Sequence, residues 1–402
     1  MRRKLSITVL ILAIFLGLFI QYQFRAPKRN FSDYRVYYDT GKNILNGRDI
    51  YMRHSNEITP FKYSPFFAVL ISPLSLVDQR TSASLFFILN LLFLSLIFWF
   101  CRKILFFKKL GFREEFLVLF ITAVLSFRFI LHCLSSGQVG LFILSLLLWG
   151  IFLVNKDKLF WGAFLIAGSI MIKYMPIIFV AYFFFRKKYK IVGLILASLL
   201  IYISIPALFL GLAKNVKYFM SWLPYIASTS LDGGSITDLE NNSLWMLVSR
   251  LFYNLPPSVS IITVVGIFLG LFYLITFDRK FSGKNKMILD FRCSINYGLL
   301  FICCALFNPN AWQHNFVVLI FPYMLCVYYL FLSKFKDKIV TLLLITSFIF
   351  CSGFSESLVG ESLHAASLYL FPIVIGSLAI FTALIKIKFW GLASIDKETV
   401  NG

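Results

Sequence analysis

Charged side chains are scarce in this chain: Asp, Glu, Lys and Arg make up 14% of its 402 residues, against roughly 25% in ordinary globular domains. That scarcity excludes the two or three soluble domains that the length alone would suggest. Acids are rarer still, 18 against 39 Lys and Arg. The seven cysteines stand at 101, 133, 293, 303, 304, 326 and 351, nearly all in or beside apolar runs. No spacing among them makes a disulfide framework or a zinc site, and they read as small buried residues. Internal repeats are absent, and hardly any ionisable residue falls at the middle of a predicted crossing. Ion-coupled transporters usually need such charges, or interrupted helices in matching halves.

Apolar residues fill the space. They make up 59% of the chain, with 47 Phe and 19 Tyr, and mean hydropathy is +0.82. Runs of about 20 apolar residues, the length that spans roughly 30 Å of hydrocarbon, recur from end to end. They are continuous rather than alternating, which excludes a β-barrel. The sequence predicts an all-α polytopic membrane protein with about 12 crossings. The long runs are 5–24, 83–101, 115–134, 137–154, 191–211, 258–277, 314–333, 339–355 and 365–385, and the short ones 159–172, 175–185 and 293–308. The first run follows Met1-Arg2-Arg3-Lys4 and lacks a small-residue cleavage site, so it is expected to be a helix rather than a signal peptide.

With twelve crossings both termini lie inside. The inner side then carries 25 Lys and Arg against 8 acids, and the outer side 14 against 10. The net charge of +21 is therefore read as the basic bias of inner loops in contact with membrane lipids, not as a nucleic-acid footprint. One integral-membrane domain is expected over 1–386, with a short cytoplasmic tail at 387–402. Two long loops, 25–82 and 212–257, fall outside. The first holds Pro65 to Val77, too short to span and so interfacial or re-entrant. The second holds Phe219, Trp222, Leu223 and Tyr225, an amphipathic set suited to the interface.

Polar residues able to do chemistry cluster on that outer side: Phe31-Ser32-Asp33-Tyr34, Tyr63-Ser64-Pro65, Gly137-Gln138-Val139, Lys173-Tyr174-Met175-Pro176, Asn241-Asn242-Ser243 with Arg250, and Asn308-Pro309 with Trp312-Gln313-His314. This ordered series resembles the family-87 glycosyltransferases of the GT-C superfamily, over roughly residues 30–330. Tyr63-Ser64-Pro65 stands where the family has Tyr-Pro-Pro, Gly140 where it has Asn, and His314-Asn315 where it has paired histidines. The resemblance implies a GT-C fold and an inverting transfer of a hexose, mannose foremost. The donor would be a polyprenyl-phosphate sugar, the acceptor a glycolipid or glycan at the outer face of the cell membrane.

Such a reaction needs a carboxylate to take the acceptor's proton and cations to meet the developing phosphate charge. Asp33 is the candidate base. Lys173, Arg250 and His314 are candidates for the donor phosphate, and Tyr63, Gln138, Asn242 and Trp312 for the substrates. No metal or other cofactor is expected, because cationic side chains can offset one phosphate charge. Structural roles stand beside these: Asp33 pairing with Arg35 or Lys28, Lys173 snorkelling, Arg250 orienting the long loop, His314 at a helix start, Trp312 in an aromatic belt. His54, His132 and His364 are given no role. The alternatives are a transporter or lipid-linked-sugar flippase, and a ligase acting on lipid-pyrophosphate glycans.

Overall fold

The computed structural model describes residues 32–52, 61–108, 110–230, 238–277 and 286–392. The expected first crossing, Lys28 and His54 lie outside them. All regular structure in the described residues is helical, as lipid demands, since a helix satisfies its own backbone hydrogen bonds. In chain order the helices are α1 (Ser32–Leu45), α2 (Pro65–Ile71), α3 (Gln79–Leu105), α4 (Phe112–Ser136), α5 (Gly140–Val154), α6 (Leu159–Ile172), α7 (Ile178–Phe185) and α8 (Tyr189–Ser204). Then come α9 (Leu212–Ser230), α10 (Leu244–Leu251), α11 (Pro257–Thr276), α12 (Lys286–Leu306), α13 (Ile320–Leu332), α14 (Lys338–Phe348), α15 (Glu361–Leu368) and α16 (Pro372–Lys386).

Among the described residues, seven helical segments are long and apolar enough to cross a membrane: Gln79–Leu105, Phe112–Ser136, Tyr189–Leu210, Pro257–Thr276, Met287–Leu306, Gln313–Leu332 and Pro372–Gly391. Five shorter apolar segments accompany them: Pro65–Leu76, Gly140–Val154, Leu159–Ile172, Met175–Phe185 and Lys338–Gly353. The chain is a multi-pass membrane protein. Every expected crossing after the first has its helix, but three lengths need correction. The run 293–308, expected to be short, extends back through Asp290 and Arg292 into a full span, whereas 137–154 and 339–355 are short. The last helix also starts later than expected and continues to Gly391, past residue 386.

Helix ends are set by local chemistry rather than by hydropathy. Ser64 is the N-cap of α2: its hydroxyl accepts from the Phe67 N–H at 3.3 Å, and Pro65 follows at the first helical position. The serine that replaces a family proline is thus a helix cap. Ser243 caps α10 in the same way, accepting from the Met246 N–H at 3.0 Å.

The chain divides into two compact units: 1–97 with 131–174 and 194–227, and 98–130 with 175–193 and 228–402. In the first, α2 and its 3-10 extension Ser72–Leu76 pack on α1. Ser75 donates to the Tyr38 carbonyl at 2.8 Å, and the Tyr38 hydroxyl to that of Val77 at 2.9 Å. The expected re-entrant stretch is therefore a short buried helical element. α5 and α6 form a close antiparallel pair, where a Cβ on Gly150 would meet Ile166 Cγ1 at 2.7 Å and the Gly162 carbonyl at 2.9 Å. The 212–257 loop begins with α9. Its exposed apolar residues are Leu212, Val216, Met220 and Leu223, while Trp222 is buried with its indole N–H 3.4 Å from the Lys62 carbonyl. The interfacial face is thus rotated from the expected one, and the Tyr225 side chain lies outside the described residues. Lys214 and Lys217 tie α9 to Gly47 and Asp49 in the segment that follows α1.

In the second unit, Lys388 donates to the Leu274 and Ile275 carbonyls at 2.9 and 2.8 Å, and Arg186 to that of Thr276 at 3.3 Å. Two cations thereby cap the C-terminus of α11, where the helix dipole favours them. All three segments were assigned to the inner side.

Candidate active site

Four of the expected site residues meet in the first unit. Asp33 lies in the first turn of α1, with Tyr37 one turn on along the same face. Tyr37 is buried among the rings of Tyr63 and Phe67, at centroid distances of 5.2 and 5.3 Å. Asp33 is half-buried, and its carboxylate lies within hydrogen-bonding reach of the Gln138 and Ser136 side chains. Arg35 lies 3.4 Å from Asp39, one turn further on along α1. Burial raises the Asp33 pKa above the ordinary carboxylate range, while the Gln138 and Ser136 hydrogen bonds and the Lys173 charge pull it back.

Gln138 reaches Asp33 because of the way α4 stops. Gly137 follows the last helical residue with φ +69°, a left-handed conformation that costs other residues energy. The Gln138 N–H then turns back to the Cys133 carbonyl at 2.9 Å, closing the α4 C-terminus in a Schellman turn. There is no room for a side chain either, since a Cβ on Gly137 would lie 2.7 Å from the Tyr34 Cβ. Gly137→Ala should therefore destabilise the protein by about 2 kcal/mol or more, from left-handed strain plus displacement of α1. Unfolding of the purified variant measures this, and a stability equal to wild type would mean that α1 yields freely.

The Gln138 side chain is buried, with its Oε1 3.0 Å from the Tyr37 hydroxyl and 3.4 Å from that of Tyr63. The two tyrosine hydroxyls are 2.8 Å apart. Tyr63 is half-exposed and offers its outer edge. Burial raises the pKa of both tyrosines, so they remain protonated donors.

Lys173 arrives from the end of α6. It is the C-cap, with extended backbone and its N–H 3.2 Å from the Ser169 carbonyl. The 3-10 turn Met175–Ile177, carrying Pro176, follows at once. Because α5 and α6 pair antiparallel, the end of α6 comes beside the start of α5, next to Gln138. Lys173 is half-buried, and burial pushes its pKa down to about 8 against the pull of the Asp33 charge. An acid and a base with converging pKa values thus share one partly desolvated place.

The other four residues fall in the second unit. Asn241 and Asn242 clip the 308–311 loop: the Asn242 N–H donates to the Ala311 carbonyl at 2.9 Å, and the Asn241 amide to that of Pro309 at 2.6 Å. The Asn242 amide turns to the Glu240 carbonyl, also at 2.6 Å. Trp312 and His314 occupy the start of the 3-10 segment Gln313–Leu319, Trp312 half-buried and His314 buried. The Arg250 guanidinium lies over the rings of Phe371 and Tyr369, at 4.9 and 5.9 Å. That contact fits an orienting role, while leaving its in-plane donors directed elsewhere. His364, given no role, has its Nδ1 2.7 Å from the Phe354 carbonyl. Among the described residues, no group of three or more His, Cys, Asp or Glu side chains comes together.

The family model described as glycosyltransferase family 87 matches residues 61–302, more than half of the chain. The chain belongs to that family. A search of curated proteins finds no match. As a family-87 member it is a glycosyltransferase, with a sugar donor, an acceptor and a lipid environment, and the transporter alternative falls away. The match includes Tyr63, Gln138, Lys173, Asn242 and Arg250, but begins after Asp33 and ends before Trp312 and His314. Two site residues escaped the sequence reading, Tyr37 and Ser136. A signal for each was present: Tyr37 is four residues after Asp33, and Ser136 immediately precedes Gly137-Gln138.

Proposed function

We propose that this family-87 glycosyltransferase moves a hexose, mannose foremost, from a polyprenyl-phosphate sugar to a glycolipid or glycan acceptor. Transfer takes place at the outer face of the cell membrane, towards the periplasm or cell exterior, with inversion. The observation that carries this reading is the placement of Asp33 beside Lys173 at the meeting ends of α1, α4 and α6. The acceptor hydroxyl oxygen attacks the anomeric carbon, and Asp33 takes its proton. The bond from that carbon to the phosphate oxygen breaks, and polyprenyl phosphate leaves with both electrons. Lys173 meets the growing phosphate charge, and Tyr63 contacts the sugar. A cationic side chain can offset a single phosphate charge, so the scheme has no metal step.

The grouping of the loops onto two opposite faces is supported by loop pairing in each unit. Residues assigned outside contact one another at Lys217 and Asp49, and residues assigned inside do so at Lys388 and α11. Helix length adds support. The fourteen residues of α6 rise only about 21 Å, short of the roughly 30 Å hydrocarbon layer. Lys173 would then sit below the outer boundary, within reach of a phosphate whose lipid tail stays in the bilayer.

The test is turnover by the purified chain with polyprenyl-phosphate mannose and related donors, using extracted membrane lipids as acceptors. Product mass and anomeric configuration are read by mass spectrometry and NMR. A β-linked donor should give an α-linked product. A product retaining the donor's configuration would require a covalent glycosyl-enzyme and would overturn the scheme.

A further inference from the structure

We propose that Gln138, locked in orientation by the Tyr37 hydroxyl, is a positioning residue that keeps the Asp33 carboxylate aimed and ionised for proton abstraction. This deepens the reading of Asp33 as base and rests on it. It also replaces the expectation that Gln138 contacts substrate.

With the Asp33 carboxylate ionised, the hydrogen bonds settle the direction of the amide. Gln138 Oε1 can only accept, and the Tyr37 hydroxyl donates to it at 3.0 Å. With that proton committed, the Tyr37 oxygen accepts from the Tyr63 hydroxyl at 2.8 Å. The amide must then turn Nε2 towards Asp33, whose carboxylate it contacts. Every donor in the series Tyr63, Tyr37, Gln138 points one way and ends on the charge. A reversed amide would aim its oxygen at the carboxylate, setting acceptor against acceptor. Tyr37 and Gln138 are 1% and 6% exposed, so water does not readily take over either role.

The other groups facing Asp33 do not substitute. Ser136 has one proton, and the His132 carbonyl, 2.7 Å from its hydroxyl, competes for it. Lys173 supplies charge but is itself pushed towards the neutral form by burial, with Lys62 adding to that push. The Cys133 thiol faces both Asp33 and Lys173, and Tyr37 and Tyr63 are neutral at working pH. Gln138 alone in this set brings two N–H donors held by a partner behind it. Removing the hold should therefore raise the pH at which Asp33 ionises, because its charged form loses a hydrogen bond.

Tyr37→Phe is the cleanest variant, since it keeps the ring packing and deletes only the hydroxyl. Infrared difference titration of the full chain in lipid nanodiscs, with the band assigned by its loss in Asp33→Asn, follows the Asp33 carboxyl without any substrate. Tyr37→Phe and Gln138→Leu should both move its midpoint to higher pH, by about one unit, equivalent to about tenfold in ionisation. Transfer from a short-chain polyprenyl-phosphate mannose should fall about tenfold on the acid limb and recover as pH rises past it, with donor KM unchanged. A loss uniform across pH with an unmoved carboxyl band would mean packing alone, and overturns the proposal. So does a Tyr37→Phe protein with unaltered band and rate. If Asp33→Asn itself transfers at full rate, the base assignment falls and takes the catalytic role of the series with it. That case is recognised because the infrared shift persists without a rate effect.

Discussion

Asp33→Asn is expected to fold, to bind the donor, and to lose almost all transfer, by about 10²–10⁴-fold in kcat. The substitution is nearly isosteric. The asparagine can still receive the Gln138 N–H on its carbonyl oxygen, so the local packing of α1 against Gly137 is retained. What it lacks is basicity. An acceptor hydroxyl that attacks without giving up its proton leaves an oxonium, and the barrier rises accordingly. Asp39 and Asp49 provide the controls. Asp39 lies 3.4 Å from Arg35, and Asp49 is 3.4 Å from Lys217 at the tie between the segment after α1 and α9. Their Asn variants should change transfer by less than about threefold, since exposed pairs of this kind contribute about 0–1 kcal/mol. Kinetics with polyprenyl-phosphate mannose, together with donor binding by the inactive variant, separate the outcomes. Full activity in Asp33→Asn would remove the carboxylate from the mechanism.

The parts of this site legible in the sequence were those tied to helix ends. Asp33, Tyr63, Gln138 and Lys173 are polar residues at the margins of apolar runs, where one-sided chemistry in a membrane must sit, and they gather in one unit. Tyr37 was passed over because, although it stands one helical turn after Asp33, a chain with 19 Tyr gives a single tyrosine little contrast. Its hydrogen bond to Gln138 sets it apart from Tyr34 and Tyr38. The face of α9 was misread for a related reason: apolar side chains lie on both sides of it, so periodicity does not decide whether Trp222 faces lipid or protein. Crossing lengths failed where hydropathy and capping disagree. Asp290 and Arg292 interrupt the apolar run of α12 but not its helix, in which Arg292 is buried. The turn at Gly137 and Gln138 delays the start of α5 to Gly140, so the 137–154 run yields a helix of only 15 residues. For Asn242, the sequence pattern pointed to substrate, whereas the structure gives the Asn241-Asn242 pair a clear task holding the 308–311 loop.

Lys173 carries the second large effect, and its size depends on pH. Lys173→Ala should lower kcat/KM for the donor by about 10²-fold or more, as expected when a cation is lost opposite a developing anion in a partly dry site. The effect on acceptor KM should be small. In the unliganded enzyme, burial brings the lysine down to about 8, so the cation needed for phosphate is present below that pH and lost as pH rises through it. Asp33, raised by burial, must be ionised, so activity is also lost as pH falls through its raised value. The profile of kcat/KM should therefore be bell-shaped, with an alkaline limb near pH 8 set by Lys173. In kcat that limb should move to higher pH, because bound phosphate favours the charged lysine. Lys173→Arg provides the decisive comparison: guanidinium stays charged throughout this range, so even with a reduced rate its alkaline limb should disappear while the acid limb stays in place. An unchanged alkaline limb in Lys173→Arg, or a Lys173→Ala enzyme with normal donor kinetics, would leave Lys173 as a snorkelling residue at the end of α6 and assign the phosphate to other cations.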